Sequence, residues 1–293
     1  MSDQSETNLE SSLDSDRIAE LAASHYGEFP FSGRYAKAFQ WVPDRLETFL
    51  DAGCAWGYGT RFFREKSQKI YALEPDATFI AIAKYRYNDI EFIQSPLEKT
   101  PFASEFFDAI ITCDTLEHVQ DEVLCLSEIF RILKPEGILV ITTPHRGLFG
   151  FLDPENAIPY VEYFVRRYLG WLFQFAYWFR KGKISEQIEW KKPVYDRNNT
   201  HRHYTKEDLL EFLDRSEAKG KYEVIEVFRS GLFLGAFVHN LEFYITLFFK
   251  ETIIKKVANF LIIKPLKWLA EIDYWIPYSI FSYNIALKIF KTQ

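Results

Sequence analysis

A chain of 293 residues is long enough for one large domain or two small ones, and its 41 acidic against 35 basic side chains make it formally −6. The imbalance is uneven: residues 1–150 hold 24 acidic and 14 basic side chains, the remainder 17 and 21. No basic stripe argues for a nucleic-acid partner. Three cysteines, Cys54, Cys113 and Cys125, lack metal-ligand spacing and read as reduced, buried thiols, which suits a cytoplasmic setting.

In chain order, the polar, acidic start lacks the apolar run of a signal peptide, and the expectation is disorder over residues 1–24. A helix or two should fill His25 to Trp41. Leu46 to Leu50 then reads as a buried strand, and Arg61-Phe62-Phe63 as the start of a helix. Between them lies Asp51-Ala-Gly-Cys-Ala-Trp-Gly-Tyr-Gly-Thr60. Strand, glycine-rich turn and helix make a nucleotide-cofactor site, because glycines let the backbone come close and the helix end offers unpaired N–H groups. A dinucleotide fingerprint is G-x-G-x-x-G. Here Gly53, Gly57 and Gly59 give G-x-x-x-G-x-G, with Asp51 two residues ahead. A carboxylate at the mouth of the loop suits a cationic amino-acid ligand better than a diphosphate.

On this segment the chain resembles the class I S-adenosylmethionine (SAM)-dependent methyltransferases, whose first motif looks like D-x-G-C-G-x-G. The departure is Ala55, where the family usually has glycine. The later segments keep to the same pattern. Lys69 to Asp76 reads as a second strand ending at Glu74-Pro75, where a carboxylate can accept both ribose hydroxyls of a nucleoside. After a third strand, Ile90 to Ser95, Ser95 to Phe102 is similar to the family's adenine segment. Pro96 stands at the usual aspartate position, which leaves the backbone N–H of Leu97 to serve the ring. Phe106 to Asp114 is a fourth strand, followed by Thr115-Leu116-Glu117-His118. A helix from about Asp121 to Leu133 and a fifth strand, Ile138 to Thr143, complete the similarity. The resemblance implies a doubly wound α/β Rossmann-like sheet of seven strands in the order 3-2-1-4-5-7-6, the last antiparallel. It also implies SAM as cofactor, with Asp51, Gly53, Ala55, Gly57, Glu74, Pro75, Leu97 and Asp114 around it. In related enzymes a segment such as 25–41 covers the cofactor.

One domain over 25–293 is expected, interrupted by helical insertions at about 146–199 and 232–277. Between them a helix starts near Tyr204-Thr205 and Tyr222 to Arg229 alternates as a strand. Tyr283 to Lys291 reads as the closing strand. Both insertions are rich in aromatics with narrow polar stripes, and Pro265 must kink or break the second. Neither holds a clean apolar run of spanning length. Trp171, Trp178, Trp268 and Trp275 accompany Arg166, Arg167, Lys255, Lys256, Lys264 and Lys267, which fits helices lying on the cytoplasmic face of an anionic membrane. An internal lid or a homodimer contact is the alternative.

Methyl transfer asks the protein to hold an acceptor in line and to take its proton. Candidate bases should follow the strand ends. Glu117 and His118 follow the fourth strand, His145 the fifth, and His203 closes the first insertion beside His201 and Arg202. The D-x-x-E-H run at Asp114 resembles one in ubiquinone-type O-methyltransferases, but a structural Glu-His and a metal-free reaction are expected. His25 has no partner that the sequence names. The reading is O-methylation of a small or lipid-linked acceptor: a quinone precursor, a lipid-linked sugar or a lipid. A SAM-binding protein without catalysis, or an NAD-dependent oxidoreductase, is the alternative.

Overall fold

A computed structural model describes residues 15–24, 33–148, 202–231 and 259–293, together with single helical positions between 163 and 178 and between 234 and 257. Two units emerge. The first comprises residues 1–143, 206–227 and 286–293, and the second 144–205 and 228–285.

The first unit opens with α1 (Ser15–Ser24) and α2 (Gly33–Trp41). The disorder expected through residue 24 is therefore corrected over its last ten residues. Arg86 of α3 (Ala77–Arg86) donates to the Ala22 carbonyl and anchors α1 near its C-terminus. The strands are β1 (Leu46–Ala52), β2 (Ser67–Glu74), β3 (Glu91–Gln94), β4 (Phe107–Cys113), β5 (Leu133–Pro144), β6 (Tyr222–Ser230) and β7 (Asn284–Lys291). Their order is β3-β2-β1-β4-β5-β7-β6 with the last strand antiparallel, as expected from the resemblance. The central strands pair in parallel, with Leu50 opposite Tyr71 on one side and Ile110 on the other.

β1 and β4 are almost wholly buried, as strands covered on both faces must be. Phe49 stacks on Phe63 at 4.5 Å, and Tyr71, Phe102, Phe106 and Phe107 form an edge-to-face cluster. Asp108 pins the register at the start of β1, accepting from the Glu47 and Thr48 N–H groups at 2.9 and 2.8 Å.

Helix α3 is capped by Asp76 and α4 (Glu122–Ile132) by Asp121, each accepting from two backbone N–H groups. Glu128 of α4 ties the loop before β4 through Thr100 and Arg131. Although burial works against it, these bonds hold its carboxyl down at about 2. The helix expected after the glycine turn is a short 3-10 helix, Thr60–Glu65, with β2 following at Ser67. Helix α5 (Lys206–Arg215) precedes β6.

In the second unit, a π-helix (Asn259–Ile263) runs into α6 (Lys264–Trp275). Pro265 sits in the first turn of α6, where its missing N–H costs least. No described helix is long and apolar enough to cross a membrane.

Candidate functional site

The order reverses between β1 and β4, and in open α/β sheets ligands bind beyond the C-terminal strand ends at such a point. The turn after β1 is built for close approach. Its Gly53 and Cys54 N–H groups both donate to the Leu73 carbonyl, at 2.8 and 3.0 Å, so it leaves the sheet hung on β2. The backbone is left-handed at Gly53 (φ +92°), Ala55 (+45°) and Gly57 (+75°). A Cβ at Gly53 would lie 2.0 Å from Thr115 Oγ1, and one at Gly57 2.7 Å from the Phe92 ring. Ala55 takes up the strained conformation without glycine's freedom, at a cost of about 1–2 kcal/mol.

Glu74, at the end of β2, accepts from the Ala55 N–H and the Asp76 N–H, each at 3.1 Å. Burial raises its carboxyl pKa, opposed by those two bonds. Asp51 is fully buried. Its Oδ2 accepts from Thr60 Oγ1 at 2.6 Å and lies 3.4 Å from the Tyr35 hydroxyl; its Oδ1 finds no hydrogen-bond partner among the described residues. Burial pushes this carboxyl up to about 7, and nearby Glu74 adds to the rise against the Thr60 and Tyr35 bonds. The same surroundings raise the Cys54 and Cys113 thiols and the Tyr35 phenol, burial being the largest cause in each.

Asp114 follows β4 with φ +55° and pairs with Arg34 Nη2 at 2.5 Å. Leu97 is buried in the turn after β3, which Ser95 Oγ closes against the Lys99 carbonyl at 3.0 Å. Pro75 is exposed and its carbonyl accepts from Gln94.

Helix α2 rests on this loop. The Tyr35 ring stands where a Cβ at Gly59 would fall, at 2.3–2.5 Å, and Arg34 reaches Asp114. Sequence reasoning named neither Arg34 nor Tyr35. Their only signal was the reading of 25–41 as a cover. Thr60 stood in the motif as its last residue, with no role given.

The candidate bases divide between the two units. His118 is exposed on the turn after β4, its N–H donating to the Thr115 carbonyl at 2.9 Å. Glu117 points inward: it is buried and accepts from Thr143 Oγ1 at 2.9 Å. A side chain closed off from solvent and tied to β5 in this way holds the turn. His145 and His203 belong to the second unit. His145 is buried, its Nδ1 2.7 Å from Ser282 Oγ and its N–H donating to the Tyr283 carbonyl. His203 lies edge-on to Tyr283, ring centres 6.4 Å apart. His25 and His201 lie outside the described residues. Among the described residues no group of three His, Cys, Asp or Glu side chains could hold a metal.

Residues 50–141 match a family described as a methyltransferase domain. Over 100 residues the chain is 29% identical to a probable S-adenosylmethionine-dependent methyltransferase of Mycolicibacterium smegmatis, covering 34% of this chain and 39% of that one. It is 34% identical over 105 residues to a malonyl-[acyl-carrier protein] O-methyltransferase of Enterobacter lignolyticus, again 34% of this chain and 39% of the relative. The chain thus spans about two fifths of the length of these relatives. Among solved structures, the [4+2]-cyclase SpnF superposes with a TM-score of 0.50 at 18% identity, over 94% of this chain and 89% of that one, a likeness of fold. The matched segment, with the glycine turn and the sheet order around it, places residues 50–141 in the class I SAM-dependent methyltransferase superfamily. The cofactor of that superfamily is S-adenosylmethionine.

Proposed function

We propose that this protein transfers a methyl group from SAM to the oxygen of a small or lipid-linked acceptor. One observation carries the reading: the left-handed turn of Gly53, Ala55 and Gly57 sits between two carboxylates, Asp51 and Glu74, at the point where the sheet order reverses. SAM brings an activated methyl on a sulfonium and an ammonium on its amino-acid arm. A cluster of acids whose one fully buried member, Asp51, keeps an oxygen without a partner suits such a cation. A diphosphate would meet repulsion there.

In this reading Glu74 accepts from the ribose hydroxyls and the Leu97 N–H serves the adenine. Asp51 holds the charge of the amino-acid arm, and the backbone at Gly53, Ala55 and Gly57 lies against it. Asp114 and Arg34 close the site from the β4 side. Pro75 follows Glu74 and turns the chain into α3. His118, exposed at the ligand end of β4, takes the acceptor's proton, while Glu117 fixes the turn that carries it.

In this reading the acceptor is a quinone precursor, a lipid-linked sugar or a lipid. The relatedness to a malonyl-[acyl-carrier protein] O-methyltransferase favours an oxygen acceptor. Peripheral contact with a membrane would bring such substrates near.

The test is mass spectrometry of lipids and glycans from cells with and without the protein, seeking pairs that differ by one methyl. His118→Ala should lower turnover of the acceptor so found by about 10²–10⁴-fold with cofactor affinity unchanged. Unchanged turnover would remove His118 as the base.

A further inference from the structure

Many described apolar side chains of the second unit are exposed. In the π-helix and α6, Phe260, Leu261, Trp268, Ile272 and Trp275 are all exposed, Phe260 and Trp268 at 66%. From Leu261 onward, Trp268, Ile272 and Trp275 recur at helical spacing, so the exposed positions make a stripe. Of the acids of α6, Asp273 is buried and Glu271, at the edge of the stripe, is half-buried.

The described positions between 163 and 178 repeat the arrangement. Phe164, Tyr168, Trp171, Phe175 and Trp178 follow one another at intervals of four and three, and all are exposed, Trp171 at 72%. Neighbouring rings touch along this row: Phe164 and Tyr168 lie 4.8 Å apart, Phe175 and Trp178 6.3 Å. In water such a surface is costly, and contiguous apolar patches of this kind mark interaction sites.

Charge and residue type select the occupant. The basic side chains that border the stripes are Lys264 and Lys267 on one and Arg167 on the other, and Lys264 and Arg167 are exposed. The Lys264 ammonium lies 5.7 Å from the Phe260 ring centre, so its stem runs along apolar surface and its head stays free for a polar boundary. Trp and Tyr rings favour the level of lipid headgroups, and cations favour anionic ones. No described helix is long enough to span, which leaves the helices lying in the plane of the interface.

We infer that the exposed face of α6, with the aromatic row at 164–178, docks the protein on an anionic lipid surface. The inference deepens the membrane part of the function proposed above.

The experiment is flotation of the full chain with vesicles of phosphatidylcholine alone and of phosphatidylcholine with phosphatidylserine, at low and high salt. S-adenosylhomocysteine affinity is measured on the same preparations. The wild type should float with the anionic vesicles at low salt and be released by salt. Lys264→Glu, which replaces a positive charge by a negative one, should lower partitioning by more than about fivefold. Trp268→Ser and Trp171→Ser should each lower it in all vesicles. These exposed substitutions should leave S-adenosylhomocysteine affinity unchanged, which shows that the variants fold. If the wild type stays in the soluble fraction with anionic vesicles, or if the variants float as it does, the inference is wrong. A wild-type dimer that Trp268→Ser dissociates, with no vesicle binding, would assign the face to a subunit contact instead. Vesicle binding without cofactor binding would end the methyltransferase reading and leave the docking surface standing.

Discussion

Asp51→Asn isolates the electrostatic role of the buried acid while keeping its shape. In the wild type the carboxyl titrates at about 7 instead of 3.8 because burial disfavours its charge. Between these values the folded state binds more protons than the unfolded one, so stability falls as pH rises from about 4 to about 7 and is flat above. Three pKa units correspond to roughly 4 kcal/mol at neutral pH. The amide removes that cost and can still accept from Thr60. Asp51→Asn without ligand should therefore melt several degrees higher than wild type at pH 7.5 and differ little at pH 4.5. Binding behaves in the opposite way. A cationic amino-acid arm requires the ionised carboxylate, so wild-type affinity for S-adenosylhomocysteine should fall about tenfold per pH unit below 7. The variant should bind weakly at pH 7.5, with little change down to pH 5.5. Calorimetric titration at three pH values and thermal melts provide both readouts. Equal wild-type affinity at pH 5.5 and 7.5, or an unaltered affinity in Asp51→Asn at pH 7.5, would refute the reasoning.

Ala55→Gly relieves a left-handed alanine and should stabilise the protein by about 1 kcal/mol in denaturant titrations, with the cofactor loop intact. A loss of stability would mean that the Ala55 methyl packs productively. Glu74→Ala should weaken SAM and S-adenosylhomocysteine together, by about 2–3 kcal/mol, because both carry the same ribose. Binding of NADH that depends on Glu74 would instead favour the oxidoreductase reading. Gly57→Val is expected to abolish cofactor binding, but also to lower the melting temperature, since its side chain would meet Phe92 at a positive φ. A variant that folds normally and binds SAM as wild type does would contradict the placement of this turn.

Much of the first unit was legible because its signals are local. Short apolar runs marked β1, β2 and β4, and the glycine spacing between Asp51 and Thr60 marked the turn. The sheet order came from the resemblance, since pairing of distant strands leaves no mark in a single segment. Strand and helix ends were blurred: β5 begins at Leu133, five residues before the apolar run that announced it, because Leu133 pairs with Phe107 across a register shift. Contacts across long sequence separations stayed hidden. Tyr35 and Asp51 are sixteen residues apart and Glu117 and Thr143 twenty-six, so neither bond could be read from spacing. For the same reason the burial of Glu117 against β5 could not be read from its place in the D-x-x-E-H run. In the insertions composition revealed aromatic helices, but the same periodicity fits a buried face and an exposed one. Only the accessibility of Trp171 and Trp268 distinguishes them.

The central claim is that the turn after β1 holds SAM between Asp51 and Glu74. Calorimetric titration of the purified wild-type chain with S-adenosylhomocysteine at pH 7.5, with NADH as the comparison ligand, tests it most directly. The account predicts saturable one-to-one binding of S-adenosylhomocysteine, lost in Glu74→Ala, and no heat from NADH. An absence of binding by S-adenosylhomocysteine, or its persistence at full affinity in Glu74→Ala, would contradict it.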